Sequence, residues 1–139
     1  MNNLDKYIKK LRESGLRPTK QRLKICDALF TPEKTFHFTV KDLVKIIEEK
    51  SNIKISIATV YNTVSAFKKK GYLKEISITS EKSYFDTNIN NHHHFFDVKE
   101  NELIDIEAKQ VELKNIPSPP NGKNIKNVDV VINIENDSQ

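Results

Sequence analysis

Leu4, Tyr7, Ile8 and Leu11 recur at spacings of 3, 4 and 7, which places them on one face of a helix, with Gly15 as its stop. A second helix opens at Pro18 or Thr19. Leu23, Ile25, Cys26, Leu29 and Phe30 give it an apolar face, and Pro32 lies beyond its end. Thr39 with Asp42 three residues on has the form of a capping box, and Val40, Leu43, Val44 and Ile47 follow at helical spacing to about Lys50. Ser56 caps a fourth helix, whose buried stripe is expected to be Ile57, Val60, Val64 and Phe67. Lys68, Lys69 and Lys70 suit the negative end of its dipole, and Gly71 ends it.

The period then turns from helical to extended. Tyr72–Thr79 is rich in β-branched and aromatic residues, Ser80-Glu81 reads as a turn, and Ser83–Asp86 returns as a second strand. Asn88–Asn91 is a polar linker. His94–Val98 and Leu103–Ile106 predict a hairpin around Lys99–Glu102, and Val128–Ile134 predicts a late strand. Ala108–Asn115 is expected to be a short helix, limited by Pro117, Pro119 and Pro120. Glu135–Gln139 is expected to fray.

Helices followed by a β-hairpin are the plan of an α+β fold with an N-terminal winged helix-turn-helix, residues 1–87, and a second small module, residues 88–139. Charge draws the same boundary. Residues 1–86 carry 18 Lys or Arg against 10 Asp or Glu, whereas residues 87–139 carry 5 against 9. A basic first half favours a polyanion, most commonly nucleic acid. The chain has no apolar run long enough to span a membrane and no apolar stretch of a secretory signal. Its single cysteine, Cys26, rules out a disulfide framework within the chain and a zinc site of CxxC pairs. A cytoplasmic location is the expectation from these absences. Cys26, on an apolar helix face, is read as a buried, inert thiol.

Two groups of residues carry candidate chemistry. With Ile57, Val60, Val64 and Phe67 turned inward, the fourth helix presents Ser56, Ala58, Thr59, Tyr61, Asn62 and Ser65. That uncharged, hydrogen-bonding face suits a major groove, where Asn pairs with adenine and apolar groups touch thymine methyls. Arg17, Lys20 and Arg22 precede it and suit phosphates or a minor groove. The second group is His92-His93-His94. On an extended segment His92 and His94 share a face and His93 takes the other, so two imidazoles are offered together. Asp86 and Asp105 lie on strands that can converge there, and His37 precedes the third helix.

The segments LRPTKQRLKICDAL, HFTVKDLVK, SIATVYNTVSAFKKKGYL and YFDTN followed by HHHFF resemble the ferric uptake regulator (Fur) family over residues 11–134. NELIDI and VDVVINI add a nearer resemblance to the iron response regulator (Irr) of alphaproteobacteria. The resemblance implies a homodimer, with the second module as a small α/β dimerisation module, and metal-linked binding to AT-rich palindromic DNA. It implies a hinge-side metal site at His37, Asp86, His92, His94 and Asp105, with Asp where Glu is usual at positions 86 and 105. Nitrogen and oxygen ligands suit Mn²⁺ or Fe²⁺ as well as Zn²⁺. A second family site maps onto Asn91, His93, Glu112 and Val128 and is lost as a conventional metal site. The family's structural zinc site of paired cysteines is absent, which leaves dimer stability to strand pairing through Val128, Val130 and Ile132. The Irr-like resemblance implies a haem response, with His92, His93 and His94 as the haem locus and His93 the candidate axial ligand.

The expected function is therefore an iron- or haem-responsive transcriptional regulator. The alternatives are a conventional metal-dependent Fur-type repressor without haem sensing, and a metal- or haem-handling protein without DNA binding. An enzyme is disfavoured, because no nucleophile, base and oxyanion donor cluster in the sequence.

Overall fold

The computed structural model describes Asn2–Ser138 and divides into two compact units, residues 1–89 and 90–139. The first unit contains helices α1 (Asn3–Glu13), α2 (Lys20–Phe30), α3 (Val40–Ser51) and α4 (Ile57–Lys70). Strands β1 (His37–Phe38), β2 (Lys74–Ser77) and β3 (Ser83–Asp86) complete it as one antiparallel sheet in the order β1-β3-β2. Each helix start has a side-chain cap that satisfies an otherwise orphaned N–H group. Asn2 accepts from Asp5, Thr19 from Arg22 and Ser56 from Thr59. Thr39 and Asp42 close the expected capping box with reciprocal bonds of 3.0 and 3.1 Å. Helix α4 stops where Gly71 takes φ +89°, and α3 stops where Asn52 takes φ 53°.

Leu11, Ile25, Leu29, Leu43, Ile47, Val60, Val64 and Phe67 fill the core between the helices, and Phe38 and Phe85 extend it under the sheet. Phe67 meets Phe30 and Tyr72 edge-on. Tyr72 also donates its hydroxyl to Glu13 at 2.6 Å, tying the corner after α4 to the end of α1. That bond holds the Glu13 carboxyl below its ordinary range and pushes the Tyr72 phenol up. Strands β2 and β3 form the wing, with Lys68 of α4 paired to Glu75 at its base.

The second unit is a three-stranded sheet in the order β5-β4-β6, from β4 (His92–Asp97), β5 (Glu102–Glu107) and β6 (Val131–Ile134). Strands β4 and β5 form an antiparallel hairpin, and β6 joins β4 in parallel.

Several expectations shift. Strand β4 begins at His92 rather than His94, so the whole histidine run lies in the ladder. The expected helix at 108–115 reduces to one 3₁₀ turn, Ala108–Gln110, closed by a bond from Val111 N–H to the Ala108 carbonyl. The late strand starts at Val131 rather than Val128. Ile57 is 53% exposed, not buried; Thr63 takes the inward place beside Val60, Val64 and Phe67. The two-residue β1 carries too few positions to show a period. Of the expected frayed tail, Glu135–Ser138 has no regular structure and Gln139 lies outside the described residues. Among the described residues, no helix is long and apolar enough to cross a membrane.

Candidate metal centre and nucleic-acid interface

In the second unit the pleat places His92 and His94 on one face, and the register sets Asp105 directly opposite His94. The two imidazole centroids lie 4.5 Å apart. Asp105 Oδ1 stands 3.5 Å from His92 Nε2 and 3.3 Å from His94 Nε2. His92 Nδ1 donates to the Asn90 carbonyl at 2.6 Å, so the neutral ring keeps its lone pair on Nε2, toward the carboxylate. An imidazole lone pair and a carboxylate oxygen at this separation attract only through a shared proton or metal ion. This carbonyl bond is also the orienting contact a metal-bound histidine needs, and sequence reading missed Asn90 because its backbone does the work.

The first unit holds a smaller group. Strand β1 pairs with β3 so that His37 faces Asp86, with His37 Nε2 3.4 Å from Asp86 Oδ2. Asp86 is 1% exposed, and its other oxygen accepts the Asn88 N–H at 2.8 Å. Phe36 and Thr87 exchange bonds at the end of the same ladder and hold His37 in register. In each unit imidazole stands beside carboxylate with no thiolate, donors that suit first-row divalent ions.

His93 behaves differently. It lies on the opposite face, is 2% exposed, and its Nδ1 accepts the Val130 N–H at 3.1 Å. The neutral ring then carries its proton on Nε2. Axial ligation through Nε2 would require giving up the Val130 bond, which is at odds with the expected haem role. Glu112 of the second family site is exposed and paired with Lys114 at 3.4 Å.

The expected DNA-facing residues lie in the first unit. Arg17 is exposed between α1 and α2, and its carbonyl accepts Arg22 Nη1 at 2.9 Å. Lys20 opens α2. Ser56 is engaged as the α4 cap, and Thr59 is half-buried. Tyr61 is 58% exposed. Asn62 lines a hollow of about 380 Å³ with Ser65, Lys69 and Lys70 of α4 and Glu13 of α1. The one thiol, Cys26, is fully buried, and burial pushes it up from 9.0 to about 12.

The sequence profile of the ferric uptake regulator family matches residues 13–134. The chain belongs to the ferric uptake regulator family. It is therefore a transcriptional regulator rather than an enzyme. By sequence it is similar to the peroxide-responsive repressor PerR of Staphylococcus epidermidis, 32% identical over 111 residues, which cover 80% of this chain and 72% of that protein. PerR of Staphylococcus aureus is 30% identical over 110 residues, 79% of this chain and 72% of that protein. These relatives give no support to the expected likeness to the iron response regulator. By structure the chain resembles the manganese-containing ferric uptake regulator of Pseudomonas aeruginosa, with TM-score 0.65, 21% identity and coverage of 94% and 97% of the two chains. It also resembles a zinc-bound manganese uptake regulator, with TM-score 0.65, 25% identity and coverage of 97% and 99%. These likenesses agree with the α+β winged-helix class expected from sequence.

Proposed function

We propose that this Fur-family protein is a homodimeric, metal-dependent repressor that responds to peroxide through its metal site. The convergence of His92 Nε2, His94 Nε2 and one Asp105 oxygen carries the metal assignment. The family resemblance would add His37 and Asp86 as the first unit's share of the ligand set; one ion would then link the DNA-binding unit to the second unit and fix its geometry for DNA. Manganese and iron are the favoured ions, with zinc a competitor in vitro.

The names of the staphylococcal relatives support a peroxide response. The thiol chemistry supports the route. A thiol reacts with peroxide as thiolate, and Cys26 is buried and held protonated far above neutral pH. Iron at the site would supply one-electron chemistry toward peroxide. The chain's own residues hold the ion: His92 fixed by the Asn90 carbonyl, Asp86 by the Asn88 N–H, and Asp105 half-exposed where a small solute can reach. Haem sensing gains no such support, and His93 is assigned to strand locking.

On DNA, the exposed face of α4 would enter the major groove, with Arg17 and Lys20 on phosphates or a minor groove; AT-rich palindromes are the proposed targets. A regulator acting on DNA works in the cytoplasm. In the second unit, Ile104, Phe95 and Ile132 form one apolar row across β5, β4 and β6, with Ile104 and Ile132 each more than two-fifths exposed. We assign this face to the dimer contact, in place of the expected Val128–Val130–Ile132 line.

The test is a duplex-binding titration of apo, Mn²⁺-loaded and Fe²⁺-loaded protein before and after hydrogen peroxide. The reading requires both metals to promote binding, peroxide to abolish it only with iron, and Cys26→Ser to respond as wild type. A response lost with Cys26 would overturn the metal route.

A further inference from the structure

The periodicity of α4 assigns Ile57 to the core, and the structure leaves it 53% exposed. No fold requirement explains an isoleucine there. Ile57 is outside the core cluster, where Val60, Thr63, Val64 and Phe67 make the inward stripe. At the first helical position a β-branched side chain gains nothing over alanine in helix propensity. One turn on, Tyr61 is 58% exposed. Residues at i and i+4 are neighbours on a helix surface, so the two side chains form a single ridge. Ala58, small and exposed, stands beside the ridge and lets the backbone approach a partner closely.

The charge of the whole helix selects the partner. Helix α4 contains no acidic residue, and its last turn, at the far end from Ile57, carries Lys69 and Lys70 beside the Lys68 that pairs with Glu75. A protein partner's apolar surface would meet this ridge without needing the cations, whereas a polyanion with apolar points in a groove needs both. Double-stranded DNA offers such points only as the C5-methyl groups of thymine in the major groove.

Resting on the DNA-binding reading above, we propose that Ile57 is a thymine-reading residue, its side chain packing with Tyr61 against thymine C5-methyl groups. Sequence preference then arises partly from shape and methyl burial rather than from hydrogen bonds alone. Asn62 lies one turn on from Ala58 on the same flank, in the hollow with Glu13, Lys69 and Lys70, and takes the polar share.

Uracil differs from thymine in this setting only by that methyl, which makes the test direct. A duplex is selected from a randomised library with the Mn²⁺-loaded wild-type protein. Each thymidine is then replaced singly by deoxyuridine, and wild type is compared with Ile57→Ala. Each contacted methyl is worth about a fourfold change in binding, the equivalent of one buried methylene. The proposal requires at least one position where the replacement weakens wild type about fourfold and leaves Ile57→Ala unaffected. Equal losses for both proteins at every position, or no loss at any, overturn it. Failure of the wild-type protein to select any duplex overturns the DNA-binding reading instead. Because Ile57 is exposed, the variant is expected to keep the wild-type helical circular dichroism, which is checked first.

Discussion

His93 shows how much one side chain's direction decides. Its neighbours on either side face a carboxylate, while it faces the backbone of Val130. Replacing it with phenylalanine keeps the ring and removes the acceptor. The expected cost is about 1–3 kcal/mol, the desolvation of an unpaired buried N–H. Thermal unfolding would register it, whereas Mn²⁺ affinity should stay within about twofold. His92→Ala should do the reverse, lowering Mn²⁺ affinity at least tenfold with little change in melting. Cys26 carries a pH signature. Its folded thiol titrates near 12 against 9.0 as the ordinary value, so the unfolded chain loses the proton first. Its contribution is complete below pH 9 and falls as pH rises toward 12, by about 1.4 kcal/mol per unit. Cys26→Ala should unfold less steeply with pH over that window in urea titrations. The pairing of His92 with His94 was readable from strand alternation alone. The carbonyl that orients His92 was not, because Asn90 is a backbone partner and leaves no mark in side-chain identity.

Helices were the most legible elements, since capping residues and stripes agreed with one another. Thr39 and Asp42 foretold the start of α3 to the residue. Removing the cap with Thr39→Ala should cost about 1 kcal/mol, and truncating the central ring with Phe67→Ala about 3–5 kcal/mol, both measurable by urea denaturation. The strands were less legible where pairing, not propensity, creates them. His37 and Phe38 are extended because β3 accepts them, and His92 joins β4 because Glu107 lies across from it. The error at Ile57 has a related cause. A helical period marks one face, but the end residue of a stripe reaches beyond the core that the stripe covers.

The division into units separates what sequence could state from what it could only imply. The compact units divide after Ile89, three residues past the charge shift, and the shape of the second unit did not follow from pattern. Its chain runs through exposed, irregular residues from Glu112 to Asn127 before β6 returns parallel to β4. The proposed dimer contact lies on that sheet. Ile104→Glu combined with Ile132→Glu should shift the protein to monomer in sedimentation velocity while β4 and β5 remain paired. DNA affinity should depend steeply on salt, and Arg17→Ala should lower the slope of log affinity against log salt by about 1.

Strand β3 has two neighbours, and Asp86 lies opposite both His37 of β1 and Lys74 of β2. The buried carboxylate is therefore also the root of the wing. From there the β2–β3 hairpin extends four residues as a hydrogen-bonded ladder, about 13 Å long. The ladder and the His37–Asp86 pair thus share one strand end. A cation held by that pair in the proposed site would bear on the same strand end from which the wing extends to its tip at Thr79–Glu81. Ion site and DNA-side hairpin are then neighbours through a single residue, Asp86.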